Sequence, residues 1–116
     1  MIYILEATET KTWSDASDYC LSLGAQLLEV RTQEHYDVAF ELRHVLDDRY
    51  WIGGRETLTE GNFTWNSIGD PVATNEDFWF SDRPEINTNL NCLQMQGRGP
   101  YDTNCNSLRP YICEYV

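Results

Sequence analysis

Four cysteines are the residues whose chemistry most constrains this chain. Cys20, Cys92, Cys105 and Cys113 are even in number, and none belongs to a C-x-x-C pair of the kind that zinc sites usually contain. They therefore indicate two disulfide bonds, formed in an oxidising compartment. Their number alone leaves three pairings open.

The acidic side chains are the second feature with chemical consequences. Nineteen Asp and Glu residues face eight Lys and Arg residues, which gives a formal net charge of −11. This negative field would repel a polyanion, so it argues against nucleic acid as a partner. An acidic excess suits an extracellular protein or one that binds a hard cation, although solubility is the simplest explanation.

The residues that most often catalyse reactions form no recognisable constellation. His35 and His44 both fall in one predicted helix, nine residues apart and on opposite faces. No nucleophile motif and no metal-ligand spacing accompanies them. The sequence therefore predicts a binding domain and not an enzyme.

The size of the chain sets what can position these groups. Its 116 residues predict one domain, 1–116, whose modest core would benefit from covalent cross-links. No apolar run approaches the roughly 18 residues of a membrane span. The apolar start before Glu6 is too short for a signal-peptide core, so we expect any secretion signal to have been removed already.

Two helices are predicted in the first half of the chain. Thr12 can cap a helix from about Trp13 to Leu23, which Gly24 would end. Thr32 can cap a second helix that runs to about Leu46. One face of the first helix carries Ala16, Tyr19, Cys20 and Leu23, and one stripe of the second carries Val38, Ala39, Leu42, Val45 and Leu46.

Short strands are predicted at 1–5, 50–54, 63–65, 92–96 and 111–115. Between them, residues 66–91 form a long segment rich in Asn, Asp, Pro and Ser, whose aromatic residues 78–80 indicate an ordered, packed loop. Two helices followed by short strands, with a strand at each end, predict an α+β fold in which the termini can pair.

Several motifs in this order resemble the C-type lectin-like domain family. The opening Lys11-x-Trp13-x-x-Ala16-x-x-Tyr19-Cys20 is similar to the family's start, and Trp51-Ile52-Gly53-Gly54 to its central W-I-G-L strand. Phe63-x-Trp65 matches its F-x-W motif. The family's C-terminal signature is matched by three segments of this chain: Asn91-Cys92, Asp102-x-x-Cys105 and Tyr111-Ile112-Cys113-Glu114. The match spans nearly the whole chain.

The resemblance implies one of the three disulfide pairings, Cys20–Cys113 with Cys92–Cys105. It also implies two helices, short antiparallel sheets and burial of Trp51, Trp65 and Trp79. The length and opening resemble the short secreted lectins of tunicates and molluscs, several of which are dimers. We therefore expect a secreted carbohydrate-binding homodimer, acting in innate defence or agglutination.

The sugar site departs from the family's pattern. Sugar-binding members carry E-P-N or Q-P-D around a cis-proline, with further acidic and Asn ligands that complete a calcium site. Here the tripeptide is Arg83-Pro84-Glu85, and Leu90 and Tyr101 replace two of the expected oxygen ligands. Pro84 is the structural cis-proline in this comparison. If calcium binds, only Glu85 and Asp102 remain as its carboxylate ligands.

These departures predict a site without calcium. A guanidinium keeps its charge and is a poor neighbour for a cation, but between Glu85 and Asp102 it could hold the loop. Donor, acceptor and aromatic groups together suit an acetamido sugar, and bivalve lectins of the family with R-P-D or K-P-D recognise N-acetylhexosamines without calcium. The predicted sugar-binding residues are Arg83, Glu85, Asn87, Tyr101 and Asp102.

Two other functions fit the same sequence. One is a lectin-like domain that has lost sugar binding and recognises a protein surface. The other is a calcium-dependent lectin in which Asn and carbonyl oxygens replace the missing ligands. Separately, Asn62-Phe63-Thr64 is a glycosylation sequon that we expect to be exposed.

Overall fold

A computed structural model of the chain describes residues 3–42, 49–56, 63–66, 71–72, 79, 83, 91–96 and 99–115. Its elements in chain order are β1 (Tyr3–Lys11), α1 (Trp13–Ser22), β2 (Gln26–Leu27), α2 (Gln33–Leu42), β3 (Arg49–Glu56), β4 (Phe63–Trp65), β5 (Cys92–Gln96), β6 (Gly99–Thr103) and β7 (Arg109–Glu114). The α+β architecture is the predicted one. The predicted end of the second helix, at Leu46, lies outside the described residues.

The predicted signals set the ends of both helices. The Thr12 side chain accepts a hydrogen bond from the Asp15 backbone N–H at 3.3 Å, which caps α1. Gly24 follows α1 with φ of 75°, a left-handed conformation that glycine adopts without steric penalty. At α2, the Thr32 hydroxyl oxygen accepts from the His35 backbone N–H at 3.2 Å.

The strands join into one sheet whose main order is β1-β7-β3-β5-β6. The termini pair as predicted, with Tyr3 opposite Glu114 in antiparallel register. A parallel contact between Trp51 and Tyr111 links β3 to β7, so the short antiparallel ladders form a single mixed sheet. Strands β2 and β6 were not predicted from the sequence, and β1 extends beyond the predicted strand 1–5.

The sheet separates two hydrophobic cores, because alternate residues of a strand point to opposite faces. Trp51 and Tyr111 pack in the cluster that contains Trp13 and Cys20 of α1. Ile52 and Ile112, their neighbours in sequence, pack in the other cluster with Ala39 of α2. Trp51, Trp65 and Trp79 are all buried, as expected. Tyr19 and Leu23, which share a helix face with the buried Ala16 and Cys20, are 37% and 36% exposed.

Two disulfides fasten this arrangement, and they are the pair that the family resemblance implied. Cys20–Cys113 ties α1 to β7, and Cys92–Cys105 ties the start of β5 to the segment after β6.

Close approach at the glycines of β3 explains part of the W-I-G-G motif. A Cβ on Gly54 would lie 2.5 Å from Leu93 Cδ1, so a side chain there would force the Leu93 side chain to shift.

Candidate ligand-binding site

Strand β6 positions the candidate site at one end of the sheet. It is the last strand in the main order and pairs with β5, with Asp102 opposite Leu93 and Tyr101 opposite Gln94. Pro100 lies in β6, and proline is tolerated in an edge strand because it cannot donate a ladder hydrogen bond. Asp102 is fully buried, whereas Tyr101 is partly exposed.

Arg83 contacts both of these adjacent residues. Its Nη1 lies 3.6 Å from Asp102 Oδ1, and its Nη2 donates a hydrogen bond to the Tyr101 hydroxyl. Its Cζ lies 3.8 Å from the centre of the Tyr101 ring, which is a cation–π distance. Neighbouring residues of a strand point to opposite faces, so the guanidinium bridges the two sides of β6.

The ion pair with Arg83 makes the burial of Asp102 tolerable. A carboxylate removed from water without a partner carries a penalty of several kcal/mol. The Arg83 side chain is itself only 14% exposed, so it is held between Asp102 and Tyr101 and does not extend into solvent.

The Asp102 carboxylate already has a positive charge beside it. Calcium requires six to eight oxygen ligands, and at this carboxylate the guanidinium already lies at ion-pair distance. A divalent cation bound there would be placed against a permanent positive charge. Within the described ranges, no group of three or more His, Cys, Asp or Glu residues is arranged to hold a metal ion.

Three of the five predicted sugar-binding residues therefore lie together: Arg83, Tyr101 and Asp102. Glu85 and Asn87 lie outside the described residues, as do Pro84 and the sequon residue Asn62. The motif comparison pointed to Tyr101 and Asp102 although their strand was not predicted.

A second buried charged cluster, centred on Glu114, was not predicted. Glu114 Oε1 accepts hydrogen bonds from the Glu29 backbone N–H at 3.0 Å and from Gln26 Nε2 at 3.2 Å. Its Oε2 lies 3.2 Å from His35 Nε2. Burial, with the nearby Glu34 and Glu114 carboxylates, raises the pKa of the Tyr3 hydroxyl. Only the mutual approach of β2, α2 and β7 creates this cluster.

The fold and the site define a C-type lectin-like domain, and comparison with known proteins establishes the family. The family model "Lectin C-type domain" matches residues 9–115, so the chain belongs to the C-type lectin domain family. Homologous domains of this family are binding proteins and not enzymes, in agreement with the absence of a catalytic motif in the sequence. The family supports a lectin-like, carbohydrate-binding role.

Relatives of known sequence include a C-type lectin of Cerberus rynchops, 29% identical over 120 residues, with 92% of this chain and 72% of that protein covered. C-type lectin domain family 4 member M of Nomascus concolor is 26% identical over 106 residues, covering 90% of this chain. The match spans only 26% of that primate protein's length.

Solved structures include TC14, a C-type lectin from the tunicate Polyandrocarpa misakiensis, with 27% identity, a TM-score of 0.84 and 97% of both chains covered. The fold is also that of a Ca²⁺-dependent type II antifreeze protein, with 24% identity and a TM-score of 0.79, covering 96% of this chain and 88% of that one. No helix in the described part of the chain is long and apolar enough to cross a membrane.

Proposed function

We propose that this domain is a secreted lectin that recognises glycans bearing N-acetylhexosamine, GlcNAc or GalNAc, without calcium. The observation that carries the proposal is the position of the Arg83 guanidinium, at ion-pair distance from buried Asp102 and against the Tyr101 ring. A fixed side-chain cation stands beside the carboxylate that would otherwise serve a bound metal.

The chemistry of this group matches an acetamido sugar. The Arg83 N–H groups can donate to the acetamido carbonyl, and the Tyr101 ring edge offers an apolar contact for its methyl group. In this proposal Glu85 and Asn87 supply acceptors and donors for the ring hydroxyls. A calcium-independent type II antifreeze protein has the same fold, with 24% identity and a TM-score of 0.78. The match covers 96% of this chain and 82% of that protein. This likeness supports the view that the fold can form without calcium.

Secretion and self-association complete the proposal. Two disulfides are typical of proteins from oxidising compartments. A homodimer would present two sugar sites, and bivalent attachment would raise the avidity for a glycan-covered surface without any new contact. The proposed role is therefore agglutination or innate defence through microbial or cellular glycans.

The test is binding to GlcNAc and GalNAc resins in EDTA, with Arg83→Ala as the key variant. The wild type should be retained in EDTA, and Arg83→Ala should lose about tenfold or more in affinity, the expected loss for a charge-assisted hydrogen bond. Arg49→Ala is the matched control, because Arg49 is an exposed arginine of β3. Circular dichroism should show both variants folded.

Three outcomes would contradict the proposal in different ways. Elution of the wild type by EDTA would indicate a calcium-dependent lectin with substitute ligands. A folded protein that binds no glycan would indicate a domain that recognises a protein surface. Equal affinities for Arg83→Ala and the wild type would place the sugar site elsewhere.

A further inference from the structure

A cleft of about 410 Å³ lies beside the start of β5, and its described lining does not include Arg83, Tyr101 or Asp102. Pockets that hold small ligands usually have volumes of about 300–1,000 Å³. Its lining comes from the first turn of α1, the end of β3 and the Cys92–Cys105 disulfide. The lining residues are Trp13, Ser14, Arg55, Glu56, Asn91, Cys92 and Cys105.

The cleft and the Arg83 site share one ladder of the sheet. Cys92 lies opposite Thr103, and Asp102 lies opposite Leu93 in the same β5–β6 pairing. Alternate residues point to opposite faces, so Tyr101, which lies opposite Gln94, shares a face of the sheet with Cys92. With strands about 4.8 Å apart and a rise of about 3.4 Å per residue, the Cα atoms of Cys92 and Tyr101 are about 8 Å apart. A ligand bound at Arg83 could therefore extend into the cleft through its next unit.

Arg55 supplies hydrogen-bond donors to the cleft. Its Cζ lies 5.4 Å from the centre of the Trp13 ring, which orients the guanidinium by a cation–π contact. The Trp13 ring is itself fixed, because its Nε1 donates to the Ile52 carbonyl at 2.8 Å. In the part of the chain that the structure describes, Arg55 forms no ion pair, so its N–H groups are available to a ligand.

Asn91 supplies an acceptor. Its backbone carbonyl accepts from the Glu56 backbone N–H at 2.8 Å, which holds the residue in place. Its Oδ1 is buried and has no hydrogen-bond partner within the described ranges. A buried acceptor left unpaired costs about 1–3 kcal/mol, which a ligand O–H or N–H group would relieve.

We infer that the cleft binds a second saccharide unit, so that the ligand is an oligosaccharide with one unit at Arg83 and the next between Arg55 and Asn91. This inference rests on the proposed lectin function. Donors on one side and an acceptor on the other match a sugar ring, whose hydroxyls both donate and accept. The Glu56 carboxylate and the overall charge of −11 disfavour a free anion as the occupant.

The experiment compares mono- and oligosaccharides by titration calorimetry in EDTA. The probes are N-acetylglucosamine and its linear trimer, and N-acetylgalactosamine and its disaccharide with N-acetylglucosamine. The wild type should bind the longer ligand of the preferred pair about tenfold more tightly than the monosaccharide. Arg55→Ala and Asn91→Ala should remove that gain and leave monosaccharide affinity within about twofold.

Arg55→Lys is the second variant, because it keeps the positive charge over Trp13 but loses the planar fork, and it should lose part of the gain. Arg49→Ala is again the matched control and should keep all of it. Equal wild-type affinities for the short and long ligands would overturn this inference but not the proposed lectin function. The same holds if Arg55→Ala loses affinity equally for both ligands. Absence of binding to every sugar would overturn the proposed lectin function together with it.

Discussion

Asp102 and Glu114 are both fully or almost fully buried carboxylates, yet their surroundings differ. Glu114 is enclosed by partners from the packed body of the fold, including a backbone N–H of Glu29 and the ring of His35. Asp102 faces the guanidinium of Arg83, which reaches β6 from the long segment between β4 and β5. The comparison separates a carboxylate that stabilises the fold from one that, in the proposed function, also orients a group for ligand contact.

Loss of the Glu114 carboxylate should have the largest effect on stability. Glu114→Ala should lower the free energy of unfolding by about 3–5 kcal/mol, because His35 and the Glu29 N–H would lose a buried partner. Urea denaturation measures the change. Glu9→Ala is the control, since Glu9 is exposed and pairs with Lys11 at the surface, and it should change stability by less than about 1 kcal/mol. Similar losses of unfolding free energy in the two variants would show that Glu114 has no special structural role.

Neutral isosteres of the two carboxylates should separate stability from binding. Asp102→Asn should lower sugar affinity by about tenfold or more, because an amide no longer fixes the Arg83 guanidinium by charge. Glu114→Gln should leave affinity within about twofold. Both should lower the free energy of unfolding by about 1–3 kcal/mol. Calorimetric titration with the monosaccharide that binds most tightly measures the sugar affinity. Affinity losses of equal size in the two variants would show that Asp102 has no greater role in sugar binding than Glu114.

His35 offers a smaller test of the Glu114 cluster. Its Nδ1 accepts from the Arg31 backbone N–H at 3.3 Å, while its Nε2 faces Glu114. His35→Leu should lower the free energy of unfolding by about 1–3 kcal/mol without changing sugar affinity. Gln33→Ala, at an exposed position of the same helix, should stay within about 0.5 kcal/mol. A loss of sugar affinity in His35→Leu would mean that the two regions are coupled.

The Tyr101 ring and hydroxyl should make the smallest separable contributions. Tyr101→Phe keeps the ring against the Arg83 guanidinium and removes the hydroxyl acceptor, so stability should fall by less than about 1 kcal/mol. Tyr101→Ala removes both and should lower stability and sugar affinity further. Thermal unfolding and calorimetry measure the two effects, and equal behaviour of the Phe and Ala variants would exclude a role for the ring.

Local rules explain which elements could be predicted. Thr12, Gly24 and Thr32 set helix ends through contacts within one turn, so their residue types were sufficient. Strand β6 was missed because Gly99 and Pro100 at its start are typical of turns, and its pairing with β5 depends on a partner elsewhere in the chain. Periodicity placed Tyr19 on one helix face with Ala16 and Cys20, but its exposure depends on the tertiary structure, in which it packs edge-on against Tyr111 and remains 37% exposed.

The candidate site was only partly accessible from the sequence. The unusual Arg83-Pro84-Glu85 tripeptide was visible once the family motifs had been aligned, and it raised the expectation of a side-chain cation near Asp102. The cleft at Arg55 and Asn91 had no such signal, because its residues come from four separate parts of the chain. No periodicity or short motif connects residues that meet only when β3, α1 and β5 pack together.

The sequence by itself determined an even set of four cysteines, the capped helices, the acidic charge and the replacement of calcium ligands by Arg83 and Tyr101. Those properties depend on residue identity or on neighbours within a few positions. The tertiary structure decided that Arg83 lies against both Asp102 and Tyr101, that Glu114 meets His35, and that the sheet is continuous through Trp51 and Tyr111. These contacts join distant parts of the chain, and their geometry depends on how the strands pack, which no local rule specifies.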